Sequence, residues 1–432
     1  MNFVEAIARK RDGLELTRAE IEAFVAGATD GHVGDEQLAA MLMAICIRGA
    51  SADETQGLVE AMRDSGAQWR IGESFPSAVD KHSTGGVGDT VSLVFAPLVA
   101  SCGVPVVMMA GAGLGHTQGT LDKLAAIPGF RAAGGREQAA RLIERCGVCF
   151  ASQSEEIAPA DRRLYLLRDI TGTVPSLPLI VASIMSKKLA VGSRRLVLDV
   201  KCGSGAFLKT REAASELAKA LVGVAEKAGV EVRALISDMA QPLGDRLGSA
   251  SEVRAALEVL RGSGDRRLRD LTVELAVDAL GLADQASEAA RGVLAQRLSD
   301  GTALATYRAM VEAHGGDPDE TRLARPRSAV VVTATRGGYV TAVDGEALGW
   351  IAVALGAGRR RQGDDVDPAA GLVVEARIGA RVKAGQNLAT LELGDRQVDV
   401  DGLRSRAAAA FEIGGSPPEP SPLVFERLGG SA

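Results

Sequence analysis

Three times between residues 78 and 228 a short apolar run ends in a glycine-containing turn that opens a helix. Ala78–Lys81 leads into Gly85-Gly86-Val87-Gly88, Val104–Ala110 into Gly111-Ala-Gly-Leu-Gly115, and Leu196–Val200 into the small-residue turn Cys202–Ala206. After the first turn, Val91, Val94, Phe95 and Leu98 keep helical apolar spacing. A second helix opens near Thr120, a third covers about residues 210–228, and Val232–Ile236 is a fourth strand. Few folds accommodate this order. Parallel strands need long crossovers, which helices supply, so a mostly parallel sheet with helices on its faces is predicted. Ligands of such sheets bind beyond the carboxyl ends of the strands, where all three turns fall.

The first turn carries the strongest chemical signal. Asp80-Lys81-His82-Ser83-Thr84-Gly85-Gly86-Val87-Gly88-Asp89-Thr90-Val91-Ser92 places a cation, an imidazole, hydroxyls and three glycines between a strand and a helix. Glycines let backbone N–H groups close around a ligand, and a helix start adds partial positive charge, so phosphate is the predicted ligand. No Lys follows the last glycine, so this is not a Walker A loop, nor does it match G-x-G-x-x-G. In the second turn Thr120 is the default N-cap choice, and His116 serves either the site or the loop itself. A third cluster joins Arg168 to Ser183 and Lys187. The last two are i, i+4 and share a helical face. Lys188 reads as part of a solvated face.

Around this core the chain changes character twice. Thr17…Glu20 and Ser51…Glu54 have capping-box spacing, and Leu38, Met41, Leu42 and Ile45 mark one buried face. Residues 1–66 are therefore helical, and 159–192 return to that pattern and are expected to pack on them as one domain. Residues 71–158 and 193–325 form the α/β domain, and 326–432 a small C-terminal α+β domain. Ser416–Pro422 reads as a terminal linker or tail, and Arg359-Arg360-Arg361 as a solvated loop.

A net charge of −6 gives no reason to expect nucleic acid or an anionic membrane as partner. No window approaches the ~20 apolar residues that span a bilayer, and Met1–Gly13 has charges from residue 5 onward and no apolar core of signal-peptide length. Five scattered cysteines, an odd number, argue for reduced thiols in a cytoplasm, and Cys146-Gly-Val-Cys149 for buried or incidental ones.

Asp80–Ser92, Gly113-Leu-Gly-His-Thr117 through Gly119-Thr-Leu-Asp-Lys123, Ser183-Ile-Met-Ser-Lys-Lys-Leu189 and Leu198-Asp-Val-Lys-Cys-Gly-Ser-Gly-Ala-Phe207 together resemble the thymidine and pyrimidine-nucleoside phosphorylases. The resemblance covers nearly the whole chain. It implies a homodimer held by the helical domain, closing on a pyrimidine nucleoside such as thymidine, with inorganic phosphate as co-substrate and no cofactor. It assigns phosphate to Lys81, Ser83, Ser92 and Thr120. It assigns the base to His82, Leu114, Arg168, Ile180, Ser183, Lys187 and Phe207, with His82, Arg168 and Lys187 catalytic. Met108 stands where riboside-accepting relatives resemble Lys, which implies a preference for deoxy sugars.

The chain departs from the family at Ala110 (usually Ser, a phosphate contact), Ala112 (usually Arg) and Gln118 (usually Gly). One lost hydroxyl weakens phosphate binding by roughly 0.5–1.5 kcal/mol. Some relatives bind a monovalent cation at positions matching Gly88, Thr90 and Leu243. The other two are Arg246 and Ala255, and a buried Arg246 guanidinium is expected to exclude the ion, so no metal is assigned. Two other functions compete. A phosphoribosyltransferase-like enzyme would need Mg²⁺ and carboxylates beyond Asp89. A non-catalytic homologue would bind base without turnover.

Overall fold

Thr17 and Ser51 both cap as their spacing predicts: each hydroxyl accepts from the third backbone N–H, and Glu20 or Glu54 reaches back to the cap. They start α2 (Arg18–Asp30) and α4 (Ala52–Asp64), which with α1 (Phe3–Arg11) and α3 (Asp35–Arg48) open the chain. Leu38, Met41, Leu42 and Ile45 are at most 1% exposed. This computed structural model describes residues 2–111, 113, 115–152, 156–285, 287–359 and 364–430.

Glu54 is more than a cap. Its carboxylate also takes the Leu16 N–H (2.8 Å) and pairs with the buried Lys10 ammonium at 2.7 Å. Burial works against the charged form, but the bonds from Leu16, Lys10 and Ser51 outweigh it and hold the carboxyl below the ordinary glutamate range. A carboxylate depressed in this way stabilises the fold above its unfolded pKa, and the contribution is lost as pH falls through the folded value. Glu54→Ala is therefore expected to cost about 3–5 kcal/mol at neutral pH, the scale of orphaning one buried ion-pair partner. Urea denaturation at neutral and acid pH checks this, with the gap to wild type expected to narrow in acid.

After α5 (Ile71–Ser74) the alternation begins: β1 (Val79–Ser83), α6 (Val91–Ala100), β2 (Val106–Ala110), α7 (Thr120–Ala125), α8 (Arg136–Cys146) and β3 (Val148–Ser152). Next come α9 (Pro159–Thr171) and α10 (Leu177–Val191), then β4 (Arg195–Cys202), α11 (Arg211–Lys227) and β5 (Glu231–Asp238). Helices α9 and α10 pack on α2, α3 and α4, as the return of helical patterning implied. The sequence reading had no strand at β3. Cys149 lies within it as a buried thiol whose pKa burial pushes up.

Strand order is β5-β4-β1-β2-β3, all parallel. The chain runs from β1 outward to β3, then returns to the other side of β1 as β4. The switch point lies between β1 and β4, where ligands of open α/β sheets bind. Side chains alternate across the sheet. Val79, Val106, Met108 and Val197 face one apolar cluster with α6, while Leu196, Leu198 and Val200 face another with the N-terminal helices. Lys81, Ser83, Asp199 and Lys201 share the α6 face by the same alternation.

Past β5 come a short β6 (Arg246–Leu247), then α12 (Ser249–Leu260), α13 (Arg266–Leu282), α14 (Ser287–Ser299) and α15 (Thr302–Ala313). The C-terminal unit contains β7 (Ser328–Thr333), β8 (Gly338–Val343), α16 (Gly345–Leu355), β9 (Gly371–Val374), β10 (Arg381–Val382), β11 (Asn387–Leu393), α17 (Val400–Ala409) and β12 (Phe411–Gly414). Its sheets run β6-β9-β11-β7 and β10-β8-β12. The tail corrects the sequence reading. After the proline-rich stretch, β13 (Val424–Leu428) returns to the main sheet, antiparallel to β5. It gives that sheet its sixth strand, so the tail is structural rather than a linker.

Candidate active site

The three glycine turns meet at the carboxyl end of the sheet. Gly86 bridges Ala206, and the Val87 N–H donates to Gly205 O at 2.9 Å, which zips the first turn to the third. Gly85 has φ +92°, a conformation that favours glycine, and a Cβ there would press on the Phe207 ring at 3.2 Å. Phe207 is 49% exposed and its ring centroid lies 5.1 Å from that of His116, which brings the second turn alongside. Lys123 of α7 reaches the Asp89 carbonyl. Gly119, not Thr120, is the N-cap of α7; Thr120 is its first helical residue.

Around the first turn, Lys81 is 1% exposed and its ammonium lies 3.4 Å from the Ser92 hydroxyl. Burial pulls the Lys81 pKa down, Asp89 and Asp199 push it back up, and Lys201 and Lys123 add to the depression. Ser83 donates to Asp89 at 2.6 Å, and Asp89 accepts from the Val91 N–H at the start of α6. Burial disfavours ionised Asp89, but Lys201, Lys81 and Lys123 outweigh it and hold the carboxyl far below its usual range. Lys81, Ser83 and Ser92 are thus brought together, with Thr120 at the start of the adjoining helix. Asp89, Lys123, Asp199 and Lys201 complete this charged cluster, and the sequence reading gave none of them a place in the phosphate site. Alternation held the clue for two of them: Asp199 and Lys201 are i, i+2 in an otherwise apolar strand.

The helical unit supplies the facing wall. Lys187 sits between Asp161 Oδ2 (2.5 Å) and the Ser183 hydroxyl (3.0 Å), as the i, i+4 spacing predicted. Its neighbour overturns the solvated-face reading. Lys188 is 5% exposed, pairs with Asp80 at 2.7 Å and donates to the carbonyls of Lys81 and Met109. Through this contact α10 is seated on β1 and β2. His82 is partly buried; burial, then the fields of Lys188, Lys187 and Lys81, hold its pKa well below the histidine range. The ring is neutral at pH 7 and has one N–H to donate. Arg168 is 3% exposed, and its guanidinium donates to Leu179 O (2.9 Å) and Val174 O (2.7 Å) beside the Tyr165 ring. It braces the start of α10, and burial lowers its pKa. Ile180 is partly buried on the same helix. Leu114 and Ala112 lie outside the described residues.

Met108 is 3% exposed in the apolar cluster; Val79 pairs with Val106, so Met108 is level with Lys81 and Ala110 with Ser83. The loop after Ala110 is tied to the C-terminal unit. Gln118 donates to the Ala357 carbonyl, and a Cβ on Gly349 would lie 2.3 Å from His116 O. Arg359 pairs with Asp122, which corrects its reading as part of a solvated loop; Arg360 and Arg361 lie outside the described residues.

The positions implied for a monovalent cation do not fit one. Gly88 O accepts from the Gly244 N–H (3.1 Å), the Thr90 hydroxyl donates to Glu252 (2.9 Å), and Leu243 O faces the Arg377 guanidinium at 3.4 Å. Ala255 offers no oxygen in its side chain. The expected buried Arg246 is also corrected: its guanidinium is partly exposed and turns to Glu258 at 3.1 Å. The guanidinium at this loop belongs to Arg377, which also binds Pro242 O and Asp265.

The glycine turn at the switch point, with the buried Lys81 before it, thus faces a helical wall that carries Arg168, Ser183 and Lys187. Models of the glycosyl transferase family match the chain in two parts, the helical bundle domain over residues 4–66 and the a/b domain over 76–304. The pyrimidine nucleoside phosphorylase C-terminal domain matches residues 339–413. A pyrimidine-nucleoside phosphorylase of Geobacillus stearothermophilus is 41% identical over 99% of this chain and 100% of its own. A thymidine phosphorylase of Sinorhizobium fredii is 43% identical over 98% of each. The chain belongs to the thymidine phosphorylase and pyrimidine-nucleoside phosphorylase family. In fold alone it also resembles the anthranilate phosphoribosyltransferase of Thermus thermophilus, with a TM-score of 0.59, 19% identity and coverage of 72% of this chain and 99% of that one.

Proposed function

We propose that this protein catalyses reversible phosphorolysis of pyrimidine nucleosides, preferring thymidine and deoxyuridine to uridine. The observation that carries this reading is the placement of Lys81 and Ser92 in one half and Ser183 and Lys187 in the other, joined by the contact of Lys188 on α10 with Asp80 on β1. A phosphate oxygen forms the bond to C1′ as the bond from C1′ to the base nitrogen breaks. The electron pair leaves with the pyrimidine, which takes up a proton, and 2-deoxy-α-ribose 1-phosphate remains. Lys81, Ser83, Ser92 and Thr120 would hold the nucleophile, so positioning is a large part of the rate effect. Lys187 would stabilise charge developing on the base, Ser183 would orient the ring edge, and neutral His82 would donate a hydrogen bond to a ring oxygen. Ile180, Leu114 and Phe207 would frame the base. Arg168 would act on it chiefly by holding α10 in place.

Met108 supports the sugar preference through what it withholds, since a thioether beside Lys81 offers no donor to a 2′-hydroxyl. The oxygens of Gly88, Thr90 and Leu243, each already hydrogen-bonded within the chain, support turnover without a metal or potassium. An apolar patch of Met43 (38% exposed) and Ile47 (71%) on α3 with Leu166 (41%) and Ile170 (79%) on the adjoining α9 supports a homodimer of the helical unit. Five free thiols support a cytoplasmic setting, and among the described residues no helix is long and apolar enough to cross a membrane.

One set of assays tests this. Base release is expected to show a higher kcat/KM for thymidine than for uridine, unchanged by chelator or by exchanging potassium for tetramethylammonium. Light scattering is expected to give twice the 44.7 kDa chain mass. Equal kcat/KM for the two nucleosides would remove the sugar assignment. Activation by Mg²⁺ and pyrophosphorylated sugar would favour a phosphoribosyltransferase instead.

A further inference from the structure

Lys201 is fully buried at the end of β4, on the same face of the sheet as Lys81, with no exposure of its own or of Asp199. Its ammonium lies 2.7 Å from Asp199 Oδ2 and 3.7 Å from Asp89 Oδ2. Lys81 lies 3.7 Å from the same Asp199 oxygen, so two ammonium groups flank it as ion pairs, neither in hydrogen-bond geometry, and Lys201 is the closer. Ser237 donates to the other oxygen at 2.6 Å and fixes the carboxylate between them. Lys81 has three N–H donors, and among the described residues only Ser92 takes one of them within hydrogen-bond distance. Lys201 keeps its donors too, but it lies against Asp199 at 2.7 Å, whereas Lys81 is on the strand that leads into the glycine turn and keeps donors for an anion that arrives there.

Charge balance explains why Lys201 is needed. Lys81 and Lys201 offset Asp89 and Asp199, while the neighbouring Lys123 pairs with Glu252 at 2.6 Å and balances itself. Without Lys201 the cluster is net negative, and Asp199 is free to close on Lys81. Both effects oppose an incoming phosphate, and in a poorly screened interior neither is small. We propose that Lys201 is a positioning residue for the phosphate half: by engaging Asp199 it leaves the Lys81 ammonium available to the anion. This rests on the phosphorolysis reading for its substrate, but not for its measurement.

The test compares Lys201→Met, Lys201→Arg and the neutral double variant Asp199→Asn/Lys201→Met. The readouts are KM for phosphate and for thymidine, and calorimetric titration with inorganic phosphate and with thymine. Lys201→Met is expected to raise the phosphate KM and Kd at least about tenfold, the scale of one lost buried charge partner. Thymidine KM and thymine binding should stay near wild type. The double variant, with no free carboxylate, should recover most of the lost phosphate affinity, and Lys201→Arg should stay closer to wild type than Lys201→Met. Unchanged phosphate affinity in Lys201→Met, equal loss for phosphate and thymine, or a double variant weaker than the single would each overturn the proposal. Should Lys201→Met fail to fold, loss of phosphate binding in both other variants overturns it. A wild-type protein that binds phosphate but releases no base would defeat the phosphorolysis reading, while the calorimetry would still decide on Lys201.

Discussion

Lys187→Ala is expected to lower kcat for base release by about 10²–10³-fold, the scale of removing one preorganised group that meets charge developing in the transition state. The residue is held from two sides, by Asp161 and by Ser183 one turn earlier. Its loss frees Asp161, a 3% exposed carboxylate, beside the ring it would otherwise serve. The phosphate KM should hardly move, because the phosphate half lies on the sheet. Arg168→Ala should behave differently. Its guanidinium is tied to two backbone carbonyls, so kcat and melting temperature are expected to fall together. Steady-state kinetics with thermal unfolding of both variants checks this. Full activity in both would remove the base-site assignment.

Lys81→Met is expected to lower kcat/KM for phosphate by about 10²-fold or more, since truncating one partner of a buried charged contact with a ligand costs about 2–5 kcal/mol. The change removes the cation beside Ser92 and leaves Asp199 with Lys201 alone. Thymine binding, measured by calorimetry, should survive. Ser92→Ala, which deletes a single hydroxyl, should lose far less, roughly the 0.5–1.5 kcal/mol of one hydrogen bond. An equal loss in the two variants would mean that Lys81 supports the fold rather than the ligand.

Local signals made most of this architecture legible. Capping boxes, the 3.6-residue spacing of Leu38 to Ile45, and strand–glycine–helix repeats depend on near neighbours in sequence, and the structure has them. Ser183 and Lys187 were readable as a pair for the same reason. What the sequence hid is long-range. Lys188 looks like Lys187 until Asp80, 108 residues away, is seen beneath it. Gln118 and the Ala357 carbonyl are 239 residues apart, so the bracing of the second turn by the C-terminal unit leaves no local trace. The proline-rich tail carries every sign of a linker, and only the free edge of β5 makes Val424–Leu428 a strand. Asp199 and Lys201 stood in plain view at i, i+2; a buried ion pair and a half-exposed strand share that pattern, and only the neighbouring Lys81 separates them.

The central claim is that phosphate is the nucleophile and a pyrimidine the leaving group. The most direct measurement is initial-rate base release from thymidine as phosphate is raised from zero, with deoxyribose 1-phosphate quantified beside the free base. The account predicts no release without phosphate, saturation as phosphate rises, and one sugar phosphate formed per base. Release that proceeds without phosphate and yields free deoxyribose, or thymine binding with no turnover at any phosphate concentration, would contradict it.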